Sequence, residues 1–140
     1  MFRSTTIANF KTRETPFYFY DLSLLEATLN EVVKASQKYN YHVHYALKAN
    51  TNDEILKLIQ KAGLGADCVS GNEVEKALAY QFAPTKIAFA GVGKSDKEIN
   101  LALENEIFCF NSESIQELEV INELAVEKNK IANVALRINP

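Results

Sequence analysis

The feature that most constrains this chain is a repeated change of hydrophobic period. After Pro16, short runs rich in β-branched and aromatic residues alternate with longer stretches whose apolar residues return at helical spacing. The short runs start near residues 43, 66, 86, 107 and 133, a recurrence of roughly 20 to 27 residues that leaves room for one crossover helix between successive strands. Strands joined in this way pair in parallel through right-handed crossovers, so the pattern predicts an α/β fold on a parallel sheet. With 140 residues, 47% of them hydrophobic, the chain has apolar material for one core, and residues 1–140 are read as one domain.

Local signals fill in the elements. "FYFYD" (Phe17–Asp21) reads as a strand, followed by "SLLEATLNEVVKASQKY", where Leu25, Leu29, Val32 and Val33 share a helical face and Ser23 is the candidate N-cap. In "NDEILKLIQKAG", Ile55, Leu58, Ile59 and Ala62 have helical spacing and Gly63 is the stop. Further helices are expected over Glu73–Gln81, over "SDKEINLALEN" with Ser95 and Glu98 as a capping box, and over "SESIQELEVINELAVEK".

An open doubly wound sheet is complete with five strands, whereas a TIM (β/α)8 barrel needs three more. Strand alternation separates the two. Ile87 and Phe89 oppose Ala88 and Ala90; Phe108 and Phe110 oppose Cys109 and Asn111; Val134, Leu136 and Ile138 oppose Ala135, Arg137 and Asn139. One face is bulky and the other small or polar. A sheet covered by helices on both sides is apolar on both faces, while a barrel that holds a ligand inside its mouth needs room and polar groups there. The expectation is therefore an incomplete, N-terminal portion of a barrel with about five parallel strands. The sequence "RINP" directly after the last strand, with no closing helix, fits a piece of a longer protein.

A net charge of −3 supplies no basic surface for nucleic acid or an anionic membrane. Cys68 and Cys109 lie far apart without C-x-x-C spacing or a His cluster, and are read as reduced core thiols of a cytoplasmic protein with no metal site. No signal peptide and no apolar run of membrane-spanning length is seen. "HVHYALK" places His42, His44, Ala46 and Lys48 on the parity of Arg137, so Lys48 is expected at the barrel mouth, where such folds keep their active sites. A partly desolvated lysine there offers a neutral amine to an aldehyde, the chemistry of a Schiff base with pyridoxal phosphate. His44 is read as a core histidine satisfied by a hydrogen bond.

Six blocks carry a family resemblance: "TPFYFYD" at Thr15, "YALKAN" at Tyr45, "GLGADCVSGNEVEKAL" at Gly63, "FAGVGKS" at Phe89, "NSESIQEL" at Asn111 and "LRINP" at Leu136. In this order and spacing the chain resembles the N-terminal part of the diaminopimelate decarboxylases, within the alanine-racemase-type barrel enzymes that use pyridoxal 5'-phosphate. The resemblance implies that Lys48 is the catalytic, cofactor-bearing lysine. It places Ala46, Asp67, Glu73 and Arg137 at the cofactor, the two acids to hold and reprotonate the freed amine and the arginine beside a phenolic oxygen. The implied reaction is decarboxylation of meso-2,6-diaminopimelate to L-lysine and carbon dioxide. Alternatives are a sibling decarboxylase of carboxynorspermidine, ornithine or arginine, or a non-enzymatic pyridoxal-phosphate carrier. The resemblance also implies that ring-stacking and phosphate-binding residues and a C-terminal β-domain lie past Pro140, that the full-length protein is a homodimer, and that these residues alone are inactive. "GVGKS" (Gly91–Ser95) lacks the earlier glycine of a P-loop, position 88 being Ala88, and no nucleotide is implied.

Overall fold

The computed structural model describes residues 4–138. Six α-helices and five strands follow in the order α1 (Ser4–Phe10), α2 (Leu22–Lys38), β1 (His44–Ala46), α3 (Asp53–Lys61), β2 (Gly65–Cys68), α4 (Gly71–Ala79), β3 (Ile87–Phe89), α5 (Asp96–Glu104), β4 (Cys109–Ser112), α6 (Ile115–Glu127) and β5 (Val134–Leu136). All strand pairs are parallel, and the sheet order is β1-β2-β3-β4-β5. This order decides the architecture. A doubly wound sheet reverses direction at a switch point; right-handed crossovers that never reverse put every crossover helix on the same side. The fold is the N-terminal portion of a (β/α)8 barrel, as the strand alternation predicts.

The helix-facing side of the sheet carries the core. Ile87, Phe89 and Phe110 from β3 and β4, Cys68 from β2 and Leu47 after β1 pack with Leu56, Ile59, Val74, Ile99 and Ile121 from the helices. Each large side chain fully buried there stabilises the fold by roughly 1.5–3 kcal/mol. Val134 and Leu136 of β5 remain exposed.

Helix starts are made by side chains that accept orphan amides. Ser70, Ser95 and Ser114 each accept from the third helical residue, and Ser95 with Glu98 forms the expected capping box. Asn52 caps α3, and Gly63, at φ +82°, ends it as expected. α4 begins at Gly71, two residues ahead of the predicted start, because Ser70 is the cap. The cap of α2 is Asp21 and not Ser23: Asp21 Oδ1 accepts the Leu24 amide at 3.0 Å, which starts the helix at Leu22.

Three expectations are corrected. "FYFYD" joins no ladder; Phe17 and Phe19 pack their rings on Phe10 of α1, and Tyr18 stacks on Tyr20. Aromatic β-propensity reflects packing more than backbone preference, and here the rings find one another. Phe108 does not share a face with Phe110: it precedes the ladder and its ring lies 5.6 Å from that of His44, on the opposite side of the sheet from the core. Cys109 is half-buried on that same polar side, so only Cys68 is a core thiol. Asn139, the last residue of the polar parity, lies outside the described residues.

Burial, followed by the nearby Glu73 and Asp67 carboxylates, pushes the Cys68 thiol up to about 12. The thiolate is the reactive form, so Cys68 stays inert until the pH approaches that value. In the folded protein at about pH 8, an aromatic disulfide reagent will leave Cys68 unmodified, and denaturation will release it. Rapid native-state labelling of the Cys68 peptide, read by mass spectrometry, would contradict this burial.

Candidate active site

The strand register builds the site. Ala46 pairs with Asp67, Asp67 with Ala88, and Asn111 with Ala135, so a row of small and polar side chains crosses the sheet on the side away from the core. Where that row meets the C-terminal ends of the strands it opens into a cavity of about 690 Å³. Lys48, Asp67, Asn111 and Arg137 line it, with Gly91 and Glu113 at its edge loops. An amine, a carboxylate, a carboxamide and a guanidinium thus converge from four strands or their following turns.

Lys48 reaches this wall by a route that strand alternation misses. β1 ends at Ala46, and Leu47–Ala49 forms a single 3-10 turn. Leu47, fully buried, anchors the turn in the core. Asn50 fastens its far side: the Tyr45 hydroxyl donates to the Asn50 carbonyl at 3.0 Å, and the Asn50 carboxamide donates to the Tyr20 hydroxyl at 2.9 Å. Lys48 itself is exposed and not desolvated.

Arg137 follows β5. Its backbone amide donates to the Ser112 carbonyl at 2.9 Å, and its guanidinium donates to Glu113 Oε1 at 3.1 Å. Glu113 is 13% exposed and Arg137 58%, so the pair holds orientation more than it stabilises the fold.

Two of the expected residues stand apart. Ala46 pairs with Asp67 but does not line the cavity. Glu73 does not line it either: its carboxylate accepts the Val69 amide at 2.8 Å and lies in the first turn of α4, where the helix dipole favours an acid. Val69, however, is part of the cavity wall. His44 Nδ1 lies 3.4 Å from the Ala66 carbonyl, so the histidine is partnered as expected, but it is half-buried against Phe108 on the polar side of the sheet and not in the core.

Sequence reading missed the buried Lys94. Its ammonium donates to the Gly91 carbonyl at 2.8 Å, the Asn111 carbonyl at 3.0 Å and Glu117 Oε1 at 2.5 Å, and it stands 5.3 Å above the Phe89 ring. Gly91 is held tightly as well. At φ +96°, an added Cβ would meet the Val69 carbonyl oxygen at 2.8 Å, so only glycine fits where these two loops touch. The local signal for Lys94 is the "GVGKS" word, which is part of a family-resemblance block but says nothing by itself of burial.

A singly wound sheet that gathers its polar groups at the C-terminal strand ends is the working face of a (β/α)8-barrel enzyme. The chain belongs to the pyridoxal-dependent decarboxylases, whose pyridoxal binding domain matches residues 22–140. It is 58% identical over 135 residues to the diaminopimelate decarboxylase of Bacteroides thetaiotaomicron, covering 96% of this chain and 35% of that protein. It is 38% identical over 130 residues to the L-glutamyl-[BtrI acyl-carrier protein] decarboxylase of Niallia circulans, covering 93% of this chain and 30% of that one. The crystal structure of diaminopimelate decarboxylase from M. jannaschii in complex with L-lysine superposes with a TM-score of 0.90 at 38% identity, over 96% of this chain and 32% of that one. The chain thus spans about a third of the length of these relatives.

The donor set fits a pyridoxal group. Lys48 would offer a primary amine to the aldehyde and Arg137 a cation to anionic oxygen, and Ala90 and Gly91 keep their part of the wall small. Among the described residues no cluster of His, Cys, Asp or Glu could hold a metal ion, and no helix is long and apolar enough to cross a membrane.

Proposed function

We propose that this chain is the N-terminal, cofactor-holding part of a diaminopimelate decarboxylase, which converts meso-2,6-diaminopimelate to L-lysine and carbon dioxide. The observation that carries the reading is the convergence of Lys48, Asp67 and Arg137 on one cavity at the C-terminal strand ends. The 58% identity to a relative of that name supports the choice of substrate. Pyridoxal phosphate supplies an electron sink for the pair left when the carboxylate departs. Lys48 Nζ would hold the cofactor through its aldehyde and would hold a proton for return to the product. Asp67, on the same wall, orients that ammonium by its charge. Arg137, kept in place by Glu113, offers its guanidinium to anionic oxygen. Glu73 serves at one remove, by fixing the Val69 amide.

The reading carries with it a cytoplasmic, homodimeric full-length enzyme with a small amino-acid substrate. The net charge of −3 supports the lack of a nucleic-acid partner. The full-length protein, assayed with meso-diaminopimelate, carboxynorspermidine, ornithine and arginine, will release carbon dioxide fastest from the first. Preference for another of these would move the protein to a sibling activity. Asp67→Asn will slow turnover by about tenfold or more while leaving the fold intact, and an unchanged rate would return Asp67 to a strand-end carboxylate.

A further inference from the structure

Lys94 and Glu117 are the most deeply buried ion pair among the described residues, their side chains 1% and 12% exposed. Nothing in the proposed chemistry uses them. Their partners all belong to the wall that faces Lys48: Lys94 holds the carbonyls of Gly91 and Asn111, both lining the cavity. Glu117 accepts the Glu113 amide at 2.7 Å, and the Glu113 carboxylate in turn binds Arg137. One ammonium therefore ties the loop after β3 to β4, while its counter-ion ties α6 to the loop that orients the guanidinium. Burial alone requires the two remaining lysine protons to find acceptors; what sets this pair apart is that both acceptors are carbonyls of cavity residues.

We propose that Lys94 is a positioning residue for the cofactor cavity, setting the spacing of Gly91 and Asn111 directly and the direction of Arg137 through Glu117 and Glu113. This rests on the reading of the cavity as a pyridoxal-phosphate site. The test exploits the difference between stability and position. A buried pair replaced on both sides by apolar residues of similar volume is often neutral or stabilising, but such a replacement cannot grip two carbonyls.

In the full-length protein, Lys94→Met/Glu117→Met should restore most of the thermal stability that Lys94→Met alone loses. Titration of the apoprotein with pyridoxal phosphate, followed by its absorbance, should still show a dissociation constant raised about tenfold, and kcat/KM should fall by about 10- to 100-fold, the scale of a small misplacement at a reacting centre. Recovery of cofactor affinity together with stability would overturn the proposal. If the double variant does not fold, Lys94→Arg gives the second measurement. It keeps the charge opposite Glu117 but places its donors in a different, planar geometry, so it should fold and still bind the cofactor several-fold more weakly; wild-type affinity in Lys94→Arg would also overturn the proposal. Failure of the unmodified full-length protein to bind pyridoxal phosphate would instead refute the functional reading beneath it.

Discussion

Replacing Lys48 with alanine in the full-length protein will abolish decarboxylation, and Lys48→Arg will not restore it. A guanidinium keeps the positive charge but has no nitrogen that can take the place of a primary amine toward an aldehyde. Borohydride treatment of the unmodified holoenzyme will fix the cofactor on the peptide containing "YALKAN". The same treatment of Lys48→Ala will leave every peptide unlabelled. Attachment to a different lysine would remove the centre of the proposed mechanism, whatever the activity of the variants. The effect should be confined to chemistry: Lys48 is exposed and sits in a turn anchored by Leu47 and Asn50, so the alanine variant should unfold at nearly the same temperature as its parent.

Phe89→Ala will do the reverse, with stability falling first and activity following. Phe89 is fully buried at the middle of the sheet, its ring 6.2 Å from that of Phe110 and beneath the ammonium of Lys94. Truncating a phenylalanine in such a place costs about 3–5 kcal/mol through lost transfer energy and the cavity left behind. That is a large share of an ordinary domain's stability of roughly 5–15 kcal/mol. The midpoint of thermal or urea denaturation should drop sharply, and soluble yield with it. A midpoint within a degree or two of the parent's would mean that neighbouring helices collapse into the space far more completely than close packing normally permits.

Period-2 alternation in the sequence was enough to separate the two faces of the sheet, because a strand with one helix-covered face must put its bulk on that side. Ile87 and Phe89 against Ala88, and Phe110 against Asn111, needed no further information. Alternation failed where the ladder ends. Nothing in "YALKAN" marks the passage from β1 into a 3-10 turn, since that break is decided by Leu47 entering the core and by the bonds of Asn50 to Tyr45 and Tyr20. It also misplaced Phe108, which comes before its strand is paired. Capping was readable at Ser95 because both halves of the box are local, but Asp21 and Ser23 are equally good caps by composition and only the amide of Leu24 chooses between them. Lys94 was opaque for a different reason. Its partners Asn111 and Glu117 lie 17 and 23 residues further along the chain, so its burial follows from the fold and leaves no local pattern.

The unreversed order β1-β2-β3-β4-β5 has a consequence for how the protein is made. Each strand pairs with its immediate predecessor, in registers that run from His44 to Gly65, from Ala66 to Ile87, from Ala88 to Cys109 and from Phe110 to Val134. A docking partner is therefore always roughly 20 residues behind, a short loop by the standards of parallel sheets, whose pairing is otherwise slow. As the polypeptide leaves the ribosome, each of β2 to β5 can add to a template that has already emerged, and only the outer edge of β1 is left for a strand made later to close. Assembly can thus proceed in the direction of translation, one unit at a time.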